Sequence, residues 1–314
     1  MKYVFIGGMV ISYQILARLC RDGYPPAYAF GYPDSLSHRS NYCALEPLAR
    51  EYNFPLQNVS DINAPECQAI IRSTSPDWLF VIGWSQLVSE EILSMSSNGA
   101  LGFHMSRLPQ GRGRAPVAWS LIKGLTEGWV TLQRLKPGVD NGDIIDQQCV
   151  EISKFDDAET LCARLNALAE DMFMMQLPAL MSRGLHFIPQ RDEEATYWAK
   201  RTPEDGEIDW ALPLQELYNF VRGITAPFPG AFSYIGKKKV VFWKIAVIEF
   251  SHTRRAGEVV GEYVEHGRQG RCGIAIAVNG GIVVGHELEL DNRILTDDEM
   301  MACAEEWKGK MFGP

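Results

Sequence analysis

No two of the seven cysteines (20, 43, 67, 149, 162, 272 and 303) form a C-x-x-C pair, and their number is odd. Zinc ligation or a disulfide framework needs closer, paired spacing. The cysteines therefore read as reduced thiols of a cytoplasmic protein, and no metal is expected. No apolar run approaches the ~20 residues that span a bilayer, so no membrane partner is expected. The chain enters a strand-like run at Met1-Lys2-Tyr3-Val4-Phe5-Ile6 without a cleavable leader pattern, which agrees with a cytoplasmic location. A basic excess is also missing: 30 Lys and Arg face 39 Asp and Glu, for a net charge of −9. General nucleic-acid binding, which needs clustered cations, is disfavoured. Gly7-Gly8 follows the first strand, but G-x-G-x-x-G is absent and NAD binding is unsupported. There is no internal repeat and no low-complexity segment.

What remains is an ordinary globular composition, 46% hydrophobic and 22% charged over 314 residues, with room for two domains of roughly 100–200 residues each. Strand patterns at 2–6, 27–30, 77–83 and 100–104 alternate with helical patterns at 10–20, 45–52 and 90–95. The strands are apolar throughout rather than alternating, which predicts a parallel sheet covered on both faces. A helix is expected at 116–123, strands at 130–135 and 144–152, and a long helix at 157–181. Residues 190–206 are charged and carry Pro203 and Gly206, marking a boundary. Beyond it a helix is expected at 208–224, then short glycine-punctuated strands that read as a small barrel, and a closing helix at 297–308. The expected fold class is α/β: a Rossmann-like, mostly parallel sheet over 1–200, with a smaller β-rich, OB-like domain over 201–314.

Chemistry concentrates in two stretches. His104 closes the run 100–104, and a loop carrying Arg107, Arg112 and Arg114 follows. A lone histidine is most often structural, but the carboxyl end of a strand in such a sheet opens onto the ligand crevice. The second stretch, Gly138-Val139-Asp140-Asn141-Gly142-Asp143, is a tight turn. Asp beside Gly often bonds its own backbone. In a parallel sheet, however, this turn can lie beside His104, where a carboxylate would stabilise the imidazolium and fix its tautomer. The arginines read either as a solvated loop or as a site for a carboxylate or phosphate. Trp84 reads as core or, with Ser85 and Gln86 after it, as a ligand rim. Lys237-Lys238-Lys239 reads as an exposed turn. A histidine, an acid and an arginine loop suit acyl-type transfer, in which a neutral amine attacks a carbonyl and sheds a proton.

Gly102-Phe103-His104-Met105-Ser106-Arg107-Leu108-Pro109, then Arg112-Gly113-Arg114-Ala115-Pro116, then Asp140-Asn141-Gly142-Asp143 resemble the 10-formyltetrahydrofolate-dependent formyltransferase family, of methionyl-tRNA formyltransferase and sugar N-formyltransferase type. The family pattern is Asn-x-His-x-Ser-x-Leu-Pro, Arg-Gly-x-x-Pro and a later Asp-x-Gly turn. Residues 204–210 and 221–232 are similar to the C-terminal domain of several members. The resemblance implies an N-formyltransferase with 10-formyltetrahydrofolate as co-substrate and His104 and Asp140 as catalytic residues. It places Gly83, Trp84, Ser85, Gln86, Leu87, Gly138, Val139 and Asp140 around the pteridine, and Ser106, Arg112 and Arg114 at the substrate. One departure stands out: Gly102 occupies the family's catalytic asparagine position, so the backbone, His104 or a nearby side chain is expected to compensate. Only one arginine, Arg39, lies in 31–41, where tRNA-acting members are lysine-rich. With the net charge of −9 this favours a small amine, foremost a nucleotide-linked amino sugar, over tRNA. Methionyl-tRNA formylation, hydroxyornithine formylation, formyltetrahydrofolate hydrolysis and non-catalytic folate binding remain alternatives, and a homodimer is left open.

Overall fold

Tyr3–Ile6 (β1) is buried along its whole length, as an apolar strand must be when both faces of its sheet are covered. After it come Val10–Arg21 (α1), Tyr28–Gly31 (β2), Glu46–Tyr52 (α2), Leu56–Asn58 (β3), Pro65–Thr74 (α3), Trp78–Val81 (β4), Glu90–Leu93 (α4) and Ala100–His104 (β5). The chain continues through Arg112–Gly113 (β6), Pro116–Ile122 (α5), Glu127–Arg134 (β7), Ile144–Glu151 (β8), Ala158–Ser182 (α6) and Tyr197–Trp198 (β9). These elements are taken from a computed structural model that describes residues 1–38, 40–264 and 272–313; Arg39 lies outside the described residues. By internal contacts the chain divides into Met1–Pro116, Glu127–Glu151 and Cys162–Ala199 as one unit, and Val117–Thr126, Ile152–Leu161 and Lys200–Pro314 as another. A single cut near 200 overlooks the two short segments that group with the second unit.

In the first unit a seven-stranded sheet runs β3-β2-β1-β4-β5-β7-β8. On one face Val4, Ile6, Phe30, Leu79 and Val81 pack with Cys67 and Ile71 of α3 and Ile92 of α4. On the other, Tyr3 and Phe80 meet at 4.7 Å, and Phe173 of α6 abuts Phe80 edge-on at 5.0 Å. Strands β1 to β5 pair in parallel, whereas β7 pairs antiparallel with β5 and β8 antiparallel with β7. The parallel arrangement expected for the Asp140 turn is therefore corrected: the turn joins an antiparallel hairpin. The seven-residue α5 rises only about 10 Å, too little to carry the chain back to the start of β5 for a parallel return. Strand β3 and helix α3, unmarked in the sequence reading, are short or sparsely apolar.

The second unit holds Leu214–Ile224 (α7), Ala231–Ile235 (β10), Lys238–Glu249 (β11), Val259–Val264 (β12), Cys272–Val278 (β13), Gly281–Leu290 (β14), Arg293–Ile294 (β15) and Asp297–Trp307 (α8). Helix α7 begins six residues later than the pattern from 208 suggests. Pro213 is its N-cap, and Ile208 donates its N–H to the Phe232 carbonyl instead of starting a helix. The antiparallel order is β10-β11-β14-β13-β12, with β15 on β14. Among the described residues β10 and β12 do not pair, and the C-terminal segment serves both edges. Gly313 donates to the Tyr234 carbonyl, and Phe312 donates to the Gly257 carbonyl just before β12. Lys237, Lys238 and Lys239 are exposed at the β10–β11 turn.

Candidate active site

His104 ends β5 with 7% of its surface exposed. Its Nε2 lies 2.8 Å from the Gly111 carbonyl, an acceptor only, so Nε2 carries the proton. Nδ1 is left facing Asp140, 3.5 Å from Oδ2. The tautomer is thus set by the arginine loop's backbone and not by the carboxylate, which differs from the sequence expectation. Asp140 sits at φ 48°, a left-handed conformation that Asp tolerates better than most residues. Both of its oxygens are held: Oδ2 accepts the Gly113 N–H at 2.9 Å, and Oδ1 accepts from Gln133 Nε2 at 3.3 Å. Gln190 Nε2 donates to the Asp140 and Gly142 carbonyls at 2.8 and 2.7 Å, pinning the turn. Because β7 runs antiparallel to β5, it is this clamp that folds the turn back onto the His104 end.

A cavity of about 420 Å³ opens beside the pair, within the range of small-molecule sites. Its wall includes Gly102, His104 and Asp140, with Gly138 and Val139 from the turn. Trp84, Ser85, Gln86 and Leu87 also line it, while Gly83 does not reach it. Trp84 is stacked on Tyr32 at 3.9 Å, and the Tyr32 hydroxyl accepts the Ser85 N–H at 2.8 Å. Three buried polar atoms on this wall have no hydrogen-bond partner: Trp84 Nε1, Gln133 Oε1 and Asn141 Oδ1. Buried polar groups are normally satisfied, so one free donor and two free acceptors mark a surface shaped for a polar ligand.

The arginines separate. Arg114 is exposed on the cavity wall and donates to the Ser85 carbonyl at 2.7 Å. Arg112, expected at the substrate, is instead buried away from the wall. It donates to Gln190 Oε1 at 2.8 Å, Asp192 at 2.7 Å and the Tyr197 hydroxyl at 3.2 Å. Burial opposes its charge, but the bonds to Asp192 and Tyr197 outweigh that and hold the guanidinium above its ordinary value. Ser106, likewise expected at the substrate, is buried and donates to the Gln110 carbonyl at 2.8 Å, closing the loop on itself. Arg107 lies over the Trp129 ring at 4.6 Å. Gln133 and Gln190 carried no signal in the sequence: one is placed by strand pairing, the other by a contact 50 residues away. At the Gly7-Gly8 turn, the Ser12 hydroxyl accepts the Gly8 and Met9 N–H groups at 3.1 Å, using the donors a dinucleotide phosphate would need. Among the described residues no group of His, Cys, Asp and Glu has the arrangement of a metal site.

Residues 36–177 match the family described as formyl transferase, and residues 200–304 match the formyl transferase C-terminal domain. Similar solved structures include the sugar 3N-formyl transferase WlaRD, determined in the presence of dTDP and 5-N-formyl-THF. It is 18% identical, with 93% of this chain and 98% of that one covered and a TM-score of 0.63. An N-formyltransferase from Helicobacter canadensis, in complex with folinic acid and dTDP-3-aminofucose, is 16% identical over 91% and 99% of the chains, with a TM-score of 0.65. Methionyl-tRNA formyltransferase from Clostridium thermocellum is 17% identical over 90% and 100%, with a TM-score of 0.58.

Proposed function

The chain belongs to the formyl transferase family, and from that premise we propose that it transfers the formyl group of 10-formyltetrahydrofolate to the amine of a nucleotide-linked amino sugar. The observation that carries this reading is the His104–Asp140 pair in the wall of a cavity with unpartnered polar atoms. Those atoms suit a polar heteroaromatic ring, to which Trp84 offers a donor and Asn141 an acceptor. The co-substrate supplies an activated formyl carbon. The chain's own residues manage the proton. A new C–N bond forms to the attacking amine, and the bond from the formyl carbon to the departing nitrogen breaks. His104 Nδ1 takes the proton that the amine sheds, since Nε2 is already protonated against Gly111. The resulting imidazolium faces the Asp140 carboxylate, whose two oxygens are fixed by Gly113 and Gln133. The same proton then passes to the departing nitrogen.

The amino-sugar acceptor is supported by Arg114, which borders the cavity and has a guanidinium suited to phosphate. The net charge of −9 weighs against tRNA. The two similar sugar-type structures were determined with dTDP or a dTDP-sugar. The test is a panel of dTDP- and UDP-linked amino sugars, hydroxyornithine and charged initiator tRNA, each with 10-formyltetrahydrofolate. Formylation of an amino-sugar nucleotide is the expected result. Formylation of tRNA or hydroxyornithine alone would overturn the choice of acceptor while leaving the family chemistry intact.

A further inference from the structure

Gln133 is the least expected member of the site. It is 1% exposed, lies one residue from the end of β7, and pairs with Gly102 across the β5–β7 ladder. Directly paired residues put their side chains on one face, and residues two apart on a strand share it. Gln133 therefore projects on the face that also bears His104, at the place where β5 presents no side chain. A Cβ at Gly102 would stand 2.8 Å from the Val81 carbonyl oxygen and 3.1 Å from Leu135, so nothing from β5 competes for that space. A Cβ at Gly142 would collide with the Arg134 carbonyl at 1.6 Å and stand 3.3 Å from Gln133 Oε1, so no side chain approaches Oε1 from there either. Neither Gly102 nor Gly142 brings a side chain against the carboxamide.

The two ends of that carboxamide are unequal. Nε2 donates to Asp140 Oδ1 at 3.3 Å, and this fixes the amide's orientation, because the reverse would set oxygen against oxygen. Oε1 then has no partner, although the residue is in the cavity wall. A buried acceptor left unmet destabilises the free site, a penalty that a bound donor removes. We infer that Gln133 orients the acceptor amine: Oε1 accepts one amine N–H and turns the nitrogen lone pair toward the formyl carbon, while Nε2 holds Asp140 against His104. This rests on the proposed transferase reading and adds a residue to it. The ligand class read by Oε1 is a neutral primary amine, which presents an N–H to the acceptor and keeps a lone pair for attack.

Two variants separate the roles. Gln133→Met keeps the length and removes both hydrogen bonds. Gln133→Glu keeps an acceptor at Oε and removes the donor. The probes are 5-formyltetrahydrofolate for binding, by calorimetry, and dTDP-3-aminofucose with 10-formyltetrahydrofolate for turnover. Gln133→Met is expected to raise the amine KM roughly tenfold, the worth of one hydrogen bond, with the 5-formyltetrahydrofolate Kd within about twofold of wild type. Gln133→Glu, which sets a carboxylate oxygen against Asp140 Oδ1, should lower kcat further than Gln133→Met does. An unchanged amine KM in Gln133→Met, with folding intact by melting temperature, would overturn the inference. A wild-type protein that binds 5-formyltetrahydrofolate but transfers to no amine would overturn the transferase reading itself and the amine contact with it.

Discussion

His104 offers two nitrogens to its surroundings, and only one is free for chemistry. With Nε2–H on the Gly111 carbonyl, the proposed transfer routes the proton through Nδ1, beside the Asp140 carboxylate. His104→Ala should lower kcat by about 10²–10⁴-fold, the range of a lost general base, with the 5-formyltetrahydrofolate Kd little changed. Steady-state kinetics and calorimetry on the same preparation check both halves. The arginines divide differently. Arg114→Met should raise KM for a nucleotide-linked acceptor several-fold without altering the melting temperature. Arg112→Met should do the reverse, because it strips donors from Gln190, Asp192 and Tyr197 and loosens the clamp on the Asp140 turn. At this scale the sequence is readable where function follows local chain: His104 at a strand end and Asp140 in a glycine turn stand out by position alone. Arg112 and Arg114 look alike two residues apart, and only their burial tells them apart. Gln133 is invisible without knowing that β7 lies beside β5.

Among the elements, the apolar strands β1, β4 and β5 are legible because burial on both faces leaves no polar position to blur the pattern. Strand β3 and helix α3 are not, since three residues at a sheet edge and a helix with two fully buried side chains carry little periodicity. The direction of β7 is not legible either, because a seven-residue α5 and a longer crossover look alike in composition. Helix α8 gives a test of pH dependence. Glu299 accepts from Arg293 and from the Thr296 backbone and hydroxyl. The Arg293 bond first, and then the Thr296 bonds, bring the Glu299 carboxyl down to about 2 from an ordinary 4.5. A carboxyl depressed in the folded state stabilises it above the unfolded value and loses that contribution as pH falls through the folded one. Glu299→Gln should therefore melt below wild type at neutral pH, and the gap should narrow from pH 4.5 to about 2. A gap that is constant across that window, followed by calorimetry or circular dichroism, would contradict the assignment.

On the scale of the whole chain, the boundary near residue 200 is visible as a charged, proline-bearing stretch. Residues 117–126 and 152–161 are not, for their grouping with the second unit depends on contacts distant in sequence. No helix among the described residues is long and apolar enough to cross a membrane. With a net charge of −9, the phosphate recognition proposed above falls to individual side chains such as Arg114 beside the cavity. The most direct measurement is tetrahydrofolate release from 10-formyltetrahydrofolate by the full chain, with and without a panel of amino-sugar nucleotides. Release that requires an amine, appears as formylated product in equal amount and disappears in His104→Ala is the expected result. Release at the same rate without amine, or undiminished release in His104→Ala, would contradict formyl transfer at the His104–Asp140 pair.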